Sequence, residues 1–70
     1  METMMLGEAI RQLRLARNMT QQDLMDQAYL TRSQIYYIEK NKRTPRKQTL
    51  ENISAALGMS LFELISYAFQ

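Results

Sequence analysis

Three short stretches of the chain share one arrangement of residues that strongly limits its fold. Each stretch reads apolar residue, Thr or Ser, two further residues, then Asp, Gln or Glu, and a final apolar residue; they occupy residues 19–24, 30–35 and 59–64. At a helix N-terminus the hydroxyl accepts a hydrogen bond from the third helical amide, and the side chain at that third position bonds back to the cap. The two apolar residues of each stretch can pack together across the cap. The repetition predicts three helix starts within 70 residues.

The spacing of apolar residues predicts two further helices. Positions 6, 9, 10 and 13 are apolar at the i, i+3, i+4, i+7 spacing of one helix face, and Asn18 can end that helix in a left-handed conformation. After Pro45, apolar residues at positions 50, 53, 56 and 57 again recur at intervals of three and four residues, and Gly58 is a typical helix stop. We therefore expect an all-α fold of five helices joined by short loops, in a single domain over residues 1–70.

Composition excludes several classes of function. The chain has no Cys and no His, which rules out disulfides, thiolate catalysis, imidazole bases and the usual zinc sites. Its acidic residues are scattered, so we expect no metal site and no cofactor. No nucleophile paired with a base stands out as the site of an enzyme. No apolar run approaches the roughly 20 residues of a membrane span, and the start lacks the features of a secretory leader. The expected location is cytoplasmic.

Positive charge is concentrated in one segment, which we call the basic segment. Between residues 40 and 47 there are five basic residues and no acidic one, and the sequence pI is about 9.2. Such a segment favours a polyanionic partner. An ordinary solvated loop is an equally good interpretation of the charge alone. The five residues are Lys40, Lys42, Arg43, Arg46 and Lys47.

The third predicted helix carries two adjacent tyrosines, whose direction follows from the helix period. At about 100° per residue, with Ile35 and Ile38 facing the core, Tyr36 and Tyr37 fall on the opposite side. Ser33 and Lys40 share that side and Arg32 lies at its edge. We expect a displayed surface rich in hydrogen-bond donors and aromatic faces. The alternative is that one tyrosine covers a neighbouring helix.

Several pieces of the sequence together resemble one known family. "LGEAIRQLRLARNMTQQDLMDQAYLTRSQIYYIEKNKRTP", followed by "LENISAALGMSLFELI", is similar to the lambda-repressor-like (Cro or XRE type) helix-turn-helix family over residues 6–65. The pieces that carry the resemblance are Leu13-Arg14, Thr20-Gln21, the run from Ile35 to Glu39, Pro45, and Leu57-Gly58 with Ser60 and Leu64. The resemblance implies a five-helix domain with a helix-turn-helix over about residues 20–40. In that arrangement helix 2 lies across the phosphate backbone and helix 3 enters the major groove.

The resemblance also implies roles for individual residues. Arg32, Ser33 and Tyr37 occupy the base-facing positions, with Gln34 and Tyr36 on the flanks. Arg can fork onto guanine, Gln can pair with adenine and Ser can bond either kind of base edge, so the residue types suit base reading. Contacts to the phosphate backbone, which give affinity without sequence information, are implied for Gln21, Lys40, Lys42, Arg43 and Arg46.

Arg14 and Glu39 correspond to a pair that links helix 1 to helix 3 in the family. The resemblance therefore implies a structural ion pair that fixes how helix 3 is presented. The alternative is two separately solvated charges, which would contribute only about 0–1 kcal/mol.

Four positions depart from the family pattern. Tyr29 stands where the turn between helices 2 and 3 usually has Gly, so either the turn is strained or Tyr29 covers the core. Asn41 replaces another common Gly at a smaller penalty. Met25 and Ser54 replace small Ala, so Met25 must bend to fit and Ser54 needs a backbone partner.

The last predicted helix is more apolar than one buried face requires. We expect part of residues 60–70 to form a dimer contact, with the alternative that Leu61, Leu64 and Ile65 complete the core while residues 67–70 fray. Two functions follow: a homodimeric, sequence-specific regulator that binds double-stranded DNA, as a small repressor or controller protein, or an interaction module such as an antitoxin that binds its toxin through this helix. The expected dimer contacts are Leu61, Phe62, Ile65, Tyr67 and Phe69.

Overall fold

The computed structural model describes residues 4–69, and this part of the chain is all-α, as the sequence predicts. None of its helices combines the length and the apolar character needed to cross a lipid bilayer. The five helices are α1 (Leu6–Ala16), α2 (Gln21–Ala28), α3 (Arg32–Glu39), α4 (Lys47–Ala56) and α5 (Leu61–Ala68).

All three predicted helix starts are formed, and each contains a reciprocal cap. At the start of α2 the Asp23 amide donates to Thr20 Oγ1 at 3.0 Å, and the Thr20 amide donates to Asp23 Oδ2 at 2.9 Å. Each such cap typically contributes about 1 kcal/mol. The caps fix where α2, α3 and α5 begin. Thr31 with Gln34 and Ser60 with Glu63 form the other two.

One hydrophobic core collects side chains from all five helices. α3 packs against α1 and α2, while α4 packs against α2 and α5. Burying a large aliphatic side chain typically contributes about 1.5–3 kcal/mol, so this cluster supplies most of the stability. Ser54 lies in the core and donates to the Leu50 carbonyl at 2.8 Å, which is the backbone partner it needs. The large core side chains include Ile10, Leu13, Leu24, Ile35, Ile38, Ile53, Leu57 and Leu64.

The turn between α2 and α3 has a strained residue. Tyr29 ends α2 with φ 59° and ψ 46°, in the left-handed region, and 84% of its surface is exposed. Of the two interpretations of Tyr29, the strained turn is therefore correct, and Tyr29 does not cover the core. A non-glycine residue in this conformation costs roughly 1–2 kcal/mol.

Asn41, which follows α3, is also left-handed and has a structural partner. Its φ is 59°, and its Oδ1 accepts a hydrogen bond from the Gly7 amide at 2.8 Å. The α1 N-cap residue, Met5, makes no side-chain cap of its own. Gly7 is required here because a Cβ would collide with the Ile38 carbonyl oxygen. Asn41 therefore caps α1 and joins its start to the end of α3.

Candidate nucleic-acid interface

A buried ion pair fixes α3 to α1. Arg14 Nε lies 2.7 Å from Glu39 Oε2, and Arg14 Nη2 donates to Glu39 Oε1 at 3.1 Å. The same guanidinium donates to the Met19 carbonyl at 2.8 Å, and Gln21 Nε2 donates to Glu39 Oε1 at 3.2 Å. Both charged side chains are almost fully buried, so they are not separately solvated. The pair ties α1, α3 and the start of α2 into one unit.

The outer face of α3, which we define as Arg32, Ser33, Tyr36 and Tyr37, is exposed. Tyr36 and Tyr37 keep 49% and 44% of their surface in solvent, in agreement with the outward direction predicted from the helix period. Their rings meet edge to face, with centroids 5.4 Å apart and an interplanar angle of 78°. The two rings form a small aromatic platform beside the polar start of the helix.

The aromatic platform contacts the basic segment. Lys40 Nζ lies 5.7 Å from the centre of the Tyr36 ring, and Arg43 Cζ lies 6.0 Å from the centre of the Tyr37 ring. Both distances are within the range of a cation–π interaction, which contributes about 0.5–1 kcal/mol at exposed sites. The tyrosines therefore orient two of the cations predicted to meet phosphates. In the sequence, the signal for these contacts is limited to the i, i+4 spacing of Tyr36 and Lys40.

Two of the polar side chains at the start of α3, Gln34 and Arg32, are already hydrogen-bonded. Gln34 Oε1 accepts from the Thr31 amide at 2.8 Å as part of the helix cap, which leaves the side-chain NH2 group for another partner. Arg32 Nη2 donates to Gln22 Oε1 at 2.8 Å. Gln22 belongs to α2 and was not identified as a functional residue from the sequence.

The predicted phosphate-binding residues surround this surface. Lys40, Lys42, Arg43 and Arg46 are all exposed in the part of the chain that runs from α3 to the start of α4. Gln21 is half-buried at the first position of α2, where free amides and the positive end of the helix dipole favour an anion. Two of these cations, Lys40 and Arg43, contact the tyrosines of the outer face, and Gln21 bonds to Glu39 at the end of α3.

The C-terminal helix has an exposed apolar surface, which we define as Phe62, Ile65 and Phe69. Their exposed fractions are 79%, 39% and 61%. Leu64 is fully buried and Leu61 half-buried, so the core takes only part of the apolar excess.

Tyr67 differs from the other predicted dimer contacts. It is half-buried, packs against the core and donates to Gln12 Oε1 at 3.1 Å. Its partners lie within the chain, which weighs against a role in a dimer contact. Because α5 extends to Ala68, residues 67 and 68 are helical rather than frayed.

Two known proteins are similar in sequence to about nine-tenths of this chain. The immunity repressor protein of Bacillus phage phi105 is 34% identical over 62 residues, covering 89% of this chain and 43% of the relative. The HTH-type transcriptional activator BcrR of Enterococcus faecalis is 35% identical over 63 residues, covering 90% of this chain and 31% of the relative. This chain therefore spans less than half the length of either relative.

A solved structure and a family model extend the comparison. The structure of the restriction-modification controller protein C.Esp1396I, a tetramer in complex with its natural 35-base-pair operator, superposes with a TM-score of 0.78 at 35% identity, covering 93% of this chain and 91% of that one. A helix-turn-helix family model matches residues 10–64. The chain belongs to the lambda-repressor-like (Cro or XRE type) helix-turn-helix family.

Proposed function

We propose that the protein regulates transcription by binding double-stranded DNA sequence-specifically, with α3 in the major groove. The proposal rests on one observation: α3 is held rigidly on its inner side and exposed on its outer face. Its inner side is fixed by the core and by the buried Arg14–Glu39 pair, while its outer face presents exposed polar and aromatic side chains, two of which contact exposed cations. A rigid helix of this kind fits the major groove, and its N-terminal part meets the base edges.

The proposal divides the residues between two kinds of contact. Arg32, Ser33 and Tyr37 read base edges, and Tyr36 borders the bases. Gln34 contributes only its side-chain NH2 group because its carbonyl oxygen accepts the Thr31 amide. Phosphates are bound by the cations of the basic segment and by the start of α2 at Gln21. Base contacts then supply specificity, and phosphate contacts supply affinity and salt dependence.

The active form we propose is a homodimer joined through the apolar surface of α5. Phe62 and Phe69 expose most of their area, and a second copy would remove that area from water. The 35% identical controller protein is a tetramer on its operator, which supports assembly of several copies on DNA. A dimer of this kind contacts two half-sites about 34 Å, or some 10 base pairs, apart.

A second candidate function uses the same apolar surface for a different protein. In that case the chain is an interaction module, such as an antitoxin, and its partner covers Phe62. The two functions are compatible in one molecule. They differ in DNA binding, since a module without a DNA function forms no specific complex at physiological salt.

Selection of duplexes from random DNA, followed by titration at several salt concentrations, tests the proposal. Arg32→Ala should weaken binding to the selected duplex by about 1–3 kcal/mol with little effect on a scrambled duplex, because a base contact is lost. Lys42→Ala should weaken both duplexes alike and lower the slope of log K against log salt by about 1, because a phosphate contact is lost.

The two variants serve as controls for each other, since both residues are exposed and neither belongs to the core. If Arg32→Ala binds the selected duplex as tightly as the original protein, the outer face of α3 does not read DNA. Absence of any selected duplex would favour the interaction module instead.

A further inference from the structure

We infer that Gln22 is a positioning residue for Arg32 and thereby determines how well the protein discriminates the base pair that Arg32 reads. The inference rests on the proposed function. It identifies a residue of α2, outside the reading helix, as a determinant of specificity.

Three side chains form a hydrogen-bonded chain across the helix-turn-helix. Asp26 Oδ1 accepts from Gln22 Nε2 at 2.8 Å, and Gln22 Oε1 accepts from Arg32 Nη2 at 2.8 Å. Asp26 and Gln22 lie one turn apart on α2, and Arg32 is the first residue of α3. The chain therefore connects a reading side chain to the neighbouring helix.

The order of the three groups follows from their chemistry. An ionised carboxylate only accepts hydrogen bonds, so Asp26 takes the NH2 end of the Gln22 amide and turns the carbonyl end toward Arg32. A guanidinium carries five N–H donors, and the fork onto a guanine uses two of them. One donor can therefore remain on Gln22 while Arg32 still forks onto a base.

A neutral amide between the two charges is better suited to this role than a direct ion pair. A carboxylate in contact with Arg32 would form an ion pair that competes with DNA for the guanidinium, because bonds between two charged partners, which can be bidentate, are the strong ones. Gln22 instead orients the side chain and leaves its positive charge available to the DNA. An exposed arginine loses much rotamer freedom when it binds, and ordering it beforehand reduces that loss.

The orientation also affects specificity rather than affinity alone. A bidentate contact depends on the direction of the guanidinium plane, whereas a phosphate can be met from many directions. Loss of the hydrogen bond between Gln22 and Arg32 should therefore lower discrimination mainly at the base pair that Arg32 contacts. Contacts elsewhere on the duplex should be unaffected.

The test measures DNA binding by four proteins: the original, Gln22→Ala, Arg32→Ala and the double variant. Each protein is titrated on the selected duplex, on its single-base-pair variants and on a scrambled duplex. We expect Gln22→Ala to weaken binding to the selected duplex by about 3- to 10-fold, which is within the range that one typical intramolecular hydrogen bond contributes. The loss should be confined to the base pair at which Arg32→Ala also loses discrimination. In the Arg32→Ala background, Gln22→Ala should have no further effect.

Matched variants separate positioning from other roles. Gln27→Ala removes an exposed glutamine of the same helix that lies outside the chain of bonds and should bind like the original protein. Asp26→Asn leaves a side chain that can donate as well as accept, so it no longer fixes the Gln22 amide and should give a smaller loss at the same base pair.

Three results would overturn the inference. One is unchanged discrimination in Gln22→Ala while Arg32→Ala loses it, which would leave the proposed function intact. The second is an equal loss with and without Arg32, which would make Gln22 a direct DNA contact. The third is a uniform loss on all duplexes together with a lower Tm, which would make its role structural. If Arg32→Ala itself keeps full discrimination, the proposed reading surface fails together with the inference.

Discussion

The inner and outer sides of α3 are held by different kinds of interaction. On the inner side Ile35 and Ile38 are buried, and Glu39 forms a bidentate pair with Arg14 away from water. On the outer side Tyr36 and Tyr37 keep about half of their surface in solvent and make an edge-to-face contact and two cation–π contacts. The inner side therefore carries stability, and the outer side can change its contacts when a partner arrives. Substitutions on the inner side should therefore lower the free energy of unfolding. Substitutions on the outer side should instead weaken DNA binding.

The largest expected effect lies on the inner side. Arg14→Met or Glu39→Gln should lower the free energy of unfolding by about 3–5 kcal/mol, because each leaves a buried polar or charged partner unsatisfied. Urea unfolding of both variants and of the double variant measures the coupling. The double variant should lose less than the sum of the two single losses.

Arg11→Met is the matched control for this pair, since Arg11 lies on the same helix and is exposed. Its free energy of unfolding should stay within about 0.5 kcal/mol of the original. Small and additive losses for Arg14 and Glu39 would mean that the inner side is held by apolar packing alone.

The sequence predicts the inner side of α3 better than the outer side. Apolar spacing identifies Ile35 and Ile38, and the cap at Thr31 is a local pattern within four residues. The contacts of the outer side join residues of different elements, such as Arg32 with Gln22 and Tyr37 with Arg43, and depend on the directions that long side chains take. Periodicity carries no information about those directions.

The same limit applies to residues whose partners are far away in the sequence. Tyr67 belongs to an apolar segment expected to form a dimer contact, yet its hydroxyl meets Gln12, 55 positions earlier. The Asn41 bond to Gly7 spans 34 positions and is equally hidden from local patterns. The Arg14–Glu39 pair, 25 positions apart, was expected only because the family resemblance implied it.

An intermediate effect is expected on the outer side. Tyr37→Ala should weaken binding to the selected duplex by about 1–3 kcal/mol, as for other lost base contacts, and leave the free energy of unfolding within about 0.5 kcal/mol. Part of the loss should also appear on a scrambled duplex, because Arg43 no longer has the Tyr37 ring to orient it.

Tyr37→Phe separates the ring from the hydroxyl. It keeps the aromatic face under Arg43, so binding to the scrambled duplex should return to the original value, and any remaining loss on the selected duplex then belongs to the hydroxyl. Unfolding of the protein by Tyr37→Ala would contradict the division between the two sides. Equal behaviour of Phe and Ala on the scrambled duplex would show that the contact with Arg43 is not used.

The smallest effects concern the two left-handed residues that flank α3, and the same substitution should act on them with opposite sign. Tyr29→Gly removes an exposed side chain and relieves a strained conformation, so the free energy of unfolding should rise by up to about 1 kcal/mol, since added backbone freedom in the unfolded chain offsets part of the relief. Asn41→Gly keeps the left-handed conformation but removes the acceptor of the Gly7 amide, so the free energy of unfolding should fall by about 1 kcal/mol. Urea unfolding of the two variants under identical conditions gives both values with one reference. If Tyr29→Gly lowers the free energy of unfolding by more than about 2 kcal/mol, the ring is buried against the core. If Asn41→Gly raises the free energy of unfolding, its side chain does not hold α1 against the end of α3.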